Sequence, residues 1–183
     1  MNETNKKQHV INLGCHAASV CLAVNDIQVV IQRLAPTRLE LSYVIKGDMS
    51  KVSVPQLAVG ARQDELWRHT CAELFVCAPD NDDYLEFNFS PSAQWAAYGF
   101  TRYRQGMHPI ECTHPIIAVE HSPHHLKMDV HLELPPSLAA YPRLRVGLSM
   151  VIEENAGQCS YWAIKHVAQA PDFHRPESFV VNV

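Results

Sequence analysis

The chain has 183 residues, 47% of them hydrophobic and 19% charged, with a formal charge of −4; this is enough apolar material for one domain with a proper core and no covalent staples. Its 15 basic residues are scattered rather than gathered into a stripe that would track a phosphate backbone, and no apolar run approaches the length of a membrane span, so neither nucleic acid nor membrane is an expected partner. The six cysteines (Cys15, Cys21, Cys71, Cys77, Cys112 and Cys159) form no Cys-x-x-Cys pair, which disfavours metal knuckles and a disulfide framework and points to free thiols in a reducing, cytoplasmic compartment.

Residues 1–9 read as a mobile leader. The weakly apolar stretch from Val10 to Val24 is interrupted by Asn12 and His16, and Leu13-Gly-Cys15 lacks the preceding apolar region of a lipoprotein cleavage site. Strands are expected at 20–24 and 27–33. Leu39, Leu41, Tyr43 and Ile45 then alternate with Arg38, Glu40, Ser42 and Lys46, the period of two that marks a half-buried antiparallel strand. A short helix with the acidic pair Asp64 and Glu65 is expected at 61–66. Strands follow at 71–77, 84–89, 96–104 and 115–121, and at 126–134, where Leu126, Met128, Val130, Leu132 and Leu134 alternate with Lys127, Asp129, His131 and Glu133. After a second short helix at 136–141 come strands at 144–153, 160–166 and 178–183. About ten strands and no long amphipathic helix predict an all-β fold, an antiparallel β-sandwich forming a single domain over residues 1–183.

The strand Tyr84-Leu-Glu-Phe-Asn-Phe89 has an unusual second face. Leu85, Phe87 and Phe89 supply a core side, whereas Tyr84, Glu86 and Asn88 look like groups meant to grip something rather than to meet water. In Cys71-Ala-Glu-Leu-Phe-Val-Cys77, Ala72, Leu74 and Val76 make the matching apolar face, and the short connection Ala78–Asp83 makes a hairpin natural. If both apolar faces point at one core, Glu73 shares a face with Glu86 and Asn88, because a slip of one residue would turn Leu85, Phe87 and Phe89 outward. One such register sets Phe75 opposite Glu86 and Glu73 opposite Asn88, leaving the two carboxylates on a diagonal. Arg102 or Arg104 is expected to neutralise them; otherwise one holds its proton above the ordinary glutamate range.

Taken together, Leu66-Trp-Arg-His-Thr-Cys-Ala-Glu-Leu-Phe75, Tyr84-Leu-Glu-Phe-Asn-Phe-Ser-Pro-Ser92 with Trp95, Tyr98 and Tyr103-Arg-Gln-Gly-Met107, then Ser160-Tyr-Trp-Ala-Ile164 and Pro171-Asp-Phe-His174 resemble the DOMON-like domain proteins of bacteria. That superfamily holds the family-nine carbohydrate-binding modules and the haem-binding DOMON domains. The resemblance runs from about Leu39 to the C-terminus and implies a β-sandwich. In the carbohydrate-binding relatives a Trp followed six residues later by Glu lies in the sugar site, and Trp67 with Glu73 repeats that spacing. Those relatives close the site with a second Trp, where this chain has Phe173; Trp162 is the alternative second wall.

A sugar presents apolar C–H faces and a rim of hydroxyls, so its site needs flat aromatic walls and groups that accept and donate hydrogen bonds. The expected ligand site is therefore Trp67, Glu73, Glu86, Asn88, Arg104, Trp162 and Phe173, holding a small polar ligand, a carbohydrate or sugar-containing metabolite, with no cofactor and no metal. The alternatives are a haem site using His166, His174 or Met107, a glycosidase pair made of Glu73 and Glu86, and a face that binds a protein partner.

Overall fold

The computed structural model describes residues 7–183. Twelve strands occur among them: β1 (Gln8–Cys15), β2 (Val24–Arg33), β3 (Arg38–Gly47), β4 (Cys71–Cys77), β5 (Tyr84–Phe89), β6 (Trp95–Phe100), β7 (His108–Pro109), β8 (Ile116–His121), β9 (His125–Glu133), β10 (Arg145–Glu153), β11 (Cys159–Ala163) and β12 (Val181–Asn182). All neighbouring strands run antiparallel, in the order β7-β6-β5-β4-β10-β11-β1-β2-β3-β9-β8, with β12 pairing β10. The sheet curls at β1, which pairs β2 along most of its length and meets β11 only at Gly14↔Ala163 and Cys15↔Trp162. Its two halves thus face each other as an antiparallel β-sandwich.

The alternation predicts the inner faces well. Ile27, Val29 and Ile31 of β2, Leu39, Leu41, Tyr43 and Ile45 of β3, and Leu126, Met128, Val130 and Leu132 of β9 are all buried. They share one core with Ala72, Leu74 and Val76 of β4, Phe87 and Phe89 of β5, Trp95 of β6, and Val146, Leu148, Met150 and Ile152 of β10. Each such large side chain contributes about 1.5–3 kcal/mol through burial. Tyr43 is placed here although it is polar, because its hydroxyl crosses the interior and donates to the Glu73 carbonyl at 3.0 Å.

Several boundaries differ from expectation. Gln8 and His9, assigned to the leader, are already in β1, opposite Gln32 and Ile31; residues 1–6 of that expectation lie outside the described residues. Here the apolar signal was scrambled, since His9 shares its face with Ile11 and Leu13 while Val10 faces water at 61% exposure. Of 20–24, only Val24 enters a strand. β6 stops at Phe100 rather than running to residue 104, because Thr101 and Gln105 close a turn that needs a left-handed Arg104 (φ 52°). Segment 61–63 is not helical: Ala61 and Gln63 hydrogen-bond the backbone of Trp95, and only a 3-10 turn follows at Leu66–Arg68. The expected helix at 136–141 is a 3-10 turn at Pro136–Leu138.

The outer face of the β4–β5–β6 half carries a second apolar layer: Cys71, Phe75, Cys77, Tyr84, Tyr98, Phe100 and Phe179, with Leu66. Every residue of β4 and β6 is consequently buried. Phe179 stacks on Phe75 with ring centroids 5.5 Å apart, and it lies flat there because residue 147 is glycine. A Cβ at Gly147 would stand 2.5 Å from the Phe179 ring.

Candidate functional site

A cavity of about 290 Å³ opens on this covered outer face, at the small end of the range for ligand pockets (about 300–1,000 Å³). Glu73 of β4 and Glu86 of β5 line it. The turn Leu66–Arg68 contributes Trp67, and the end of β6 and the loop after it contribute Phe100, Arg104 and Met107. Val151 of β10, Tyr161 of β11, and Pro171, Phe173 and His174 from the segment between β11 and β12 complete the wall.

The hairpin register is the expected one, with Glu73↔Asn88 and Phe75↔Glu86 paired. Both carboxyl side chains therefore rise from the same face of adjacent strands, and both residues are only 4% exposed. β10 places Ser149 directly opposite Glu73, so its hydroxyl donates to Glu73 Oε2 at 3.3 Å. Asn88, two residues along the same face, donates from Nδ2 to Glu86 Oε1 at 2.8 Å. His174 Nε2 stands 3.8 Å from Glu86 Oε2, an ion-pair distance rather than a hydrogen bond.

A rim network fixes these groups. The Tyr84 hydroxyl accepts the Arg104 backbone N–H at 3.2 Å and lies 2.8 Å from His174 Nδ1. Its own hydrogen is thus free to point at Nδ1, which assigns the His174 proton to Nε2, the nitrogen facing Glu86. Arg104 acts on the glutamates through its charge, which favours the ionised form of both, while its hydrogen bonds go elsewhere. Its guanidinium reaches Asp172 Oδ1 from Nη2 at 3.0 Å and from Nε at 3.3 Å. Asp172 also accepts from the Tyr103 hydroxyl at 2.7 Å and from Arg175 Nε at 3.0 Å.

The electrostatics follow from burial. Loss of water pushes Glu86 up to about 7, with the Asn88 hydrogen bond and the Arg104 charge holding it from rising further. Glu73 is raised well above the carboxylate range by burial first and the neighbouring Glu86 second. Burial, then Arg104, lowers His174 to about 4, so its ring is neutral near pH 7. Asp172 behaves oppositely: burial would raise it, but the bonds from Tyr103 and Arg104 prevail and hold it below its usual value.

Of the seven residues expected at the site, Trp67, Glu73, Glu86, Arg104 and Phe173 come together around the cavity, and Asn88 lies beneath it, bonded to Glu86. Trp162 does not. It faces the interior of the sandwich, 6% exposed, with its indole N–H donating to Ser160 Oγ at 3.0 Å. Alternation along β11 sends Trp162 inward and Tyr161 outward to the cavity, a parity that could have been read once β11 was paired with β10. Of the haem candidates, His174 and Met107 line the cavity, whereas His166 packs against His16 and bonds the Gly14 carbonyl. Phe100, Val151 and Pro171 carried no sequence signal for this role.

No family model and no curated protein matches the chain. Solved structures similar to it include the following two. One is a Bacteroides uniformis ATCC 8492 protein proposed to bind carbohydrate, with a TM-score of 0.65, 11% identity, and 94% of this chain and 84% of that chain covered. The other is a family-nine carbohydrate-binding module from Caldicellulosiruptor kristjanssonii in complex with glucose, with a TM-score of 0.54, 7% identity, and 97% of this chain and 83% of that chain covered. At such identities the likeness is one of fold, and it agrees with the β-sandwich read from the strand order.

Proposed function

We propose that the cavity over β4 and β5 binds a small polyhydroxylated ligand, a carbohydrate or a sugar-containing metabolite, and does not transform it. The chain is read as one DOMON-like domain of the carbohydrate-binding kind. The observation that carries this reading is the pairing of two buried carboxyl groups with aromatic walls in one cavity of sugar-ring size. Trp67 and Phe173 offer apolar surface to C–H faces, and Glu73, Glu86 and the His174 Nε2–H offer acceptors and a donor to hydroxyls. The glucose complex of the family-nine module, a protein of the same fold, supports this choice of ligand class.

Binding is preferred to hydrolysis because both similar solved proteins are described as carbohydrate-binding; a carboxyl pair flanking a glycosidic bond is the hydrolase alternative. Calorimetric titration of the purified chain with a panel of monosaccharides tests the reading. Saturable binding that weakens roughly two- to tenfold in Glu73→Gln is expected, since a hydrogen bond between neutral groups contributes about 0.5–1.5 kcal/mol. Turnover of a glycan that disappears in Glu73→Gln or Glu86→Gln would replace this reading with a hydrolase.

A further inference from the structure

Among the described residues no cationic side chain is hydrogen-bonded to the acid pair. The guanidinium lining the cavity, that of Arg104, is engaged by Asp172 and is half exposed. Arg175 also bonds Asp172 and lies over the Tyr103 ring at 4.6 Å. His174, facing Glu86, is a neutral ring near pH 7. Among the described residues no hydrogen bond reaches Glu73 Oε1 or Glu86 Oε2. Two carboxyls, each nine-tenths buried, thus line an accessible cavity with one oxygen apiece lacking a donor. Burying such groups is unfavourable unless a proton or a cation meets them. Around them stand Trp67, Phe100, Tyr161 and Phe173, whose ring faces attract an ammonium within about 6 Å.

We propose that the ligand carries a protonated amino group: an amino sugar whose ammonium sits between Glu73 and Glu86 and against the aromatic walls. This rests on the carbohydrate reading above and specifies its chemical class. An ammonium donates three hydrogen bonds and brings one positive charge, enough to satisfy both unpartnered oxygens and to favour ionisation of the pair. The groups that bear on that ionisation are Ser149 of β10, Cys71 of β4 and Tyr43 of β3 around Glu73, Asn88, His174 and Tyr84 around Glu86, and Arg104 on both.

The test is calorimetric titration of the full chain at about pH 7.5 with glucose, N-acetylglucosamine, glucosamine, 6-amino-6-deoxyglucose and methylammonium. The amino sugars are expected to bind at least about tenfold more tightly than glucose and N-acetylglucosamine, because a charge-assisted bond is about twice as strong as a neutral one. Binding of 6-amino-6-deoxyglucose, whose alkylammonium stays protonated well above pH 7, should strengthen as pH is raised from about 5 to about 7.5 and should release protons. The Glu86→Gln variant should lose the preference for the amine, so that the ratio of amino-sugar to glucose affinity falls towards one. Equal binding of glucose and the amino sugars overturns the ammonium proposal and leaves the carbohydrate reading standing. Binding of methylammonium with no sugar bound overturns the carbohydrate reading and supports the charge match. No binding by any of the five overturns both.

Discussion

The two halves of the sandwich are built from the same alternation, yet their outer faces end in opposite environments. On β3 and β9 the outward residues Glu40, Ser42, Lys127, Asp129 and His131 meet water, and their ion pairs, His131–Glu40 and Lys127–Asp129, are a third to a half exposed. On β4 and β5 the outward residues are roofed by Trp67, by the loop after β6 and by the segment carrying Phe173, His174 and Phe179. A carboxylate on the first face keeps its water, and its ion pair contributes about 0–1 kcal/mol. A carboxylate on the second has lost its water and gained a cavity. The chemistry of a strand face is thus decided by what covers it, and the cover comes from segments distant in sequence.

The comparison breaks most visibly at the tryptophans. Trp95→Ala empties part of the main core and should cost about 3–5 kcal/mol, whereas Trp67→Ala trims a half-buried cavity wall and should stay within about 1.5 kcal/mol of the parent. Chemical denaturation of both variants checks this; greater damage from Trp67→Ala would make the roof a structural element.

A somewhat smaller effect should appear with pH. Because the folded chain holds Glu86 near 7 against an ordinary 4.5, its burial costs nothing at low pH and progressively destabilises the fold as pH rises from about 4.5 to about 7. One pKa unit corresponds to about 1.4 kcal/mol, so the full penalty is on the order of 3 kcal/mol. In urea melts, Glu86→Gln should match the parent at about pH 4, diverge from it between about pH 4.5 and 7, and exceed it by the full amount above about pH 7. His174 acts in the other direction: with a folded value of about 4 against 6.5, it destabilises the fold as pH falls from about 6.5 to about 4. A Glu86→Gln curve parallel to the parent's would mean that the carboxyl is solvated like those of the open face.

Asp172→Asn removes the charge that Arg104, Tyr103 and Arg175 share and turns one of its two accepting oxygens into a donor, which should cost about 2 kcal/mol, measured by thermal melting. Since Asp172 is held below its ordinary value, its contribution is present at neutral pH and fades as pH falls through that lowered value. The smallest effect belongs to the open face, where Lys127→Met should leave the melting temperature indistinguishable from the parent's despite the contact with Asp129 at 2.7 Å.

Much of the sandwich was legible because period-two alternation reports directly on one buried face. Leu39 to Ile45 and Leu126 to Leu132 are buried as expected, and the β4–β5 register followed from requiring Leu74 and Phe87 to meet the same core. β1 was missed altogether, no strand being expected before residue 20, because the polar His9 shares a face with Ile11 and Leu13. The carboxyl pair of the site was legible for the same reason as the register. Its surroundings were not: Arg104 turns away because Asp172, far along the chain, is folded over it, and Trp162 points inward on a parity that β11 alone could not reveal.

The corner at β1 has a consequence for how the chain acquires this structure. Gly14 pairs with Ala163 and Cys15 with Trp162, so the two halves are clasped by residues that lie almost the whole described chain apart. Such a contact forms only after a very large loop has closed, and folds dominated by contacts of this kind reach the native state in milliseconds to seconds rather than microseconds. Until the clasp closes, the apolar inner faces of β3, β4 and β9 remain open to other chains. Dilute refolding should therefore give a higher yield of folded protein than refolding at high concentration.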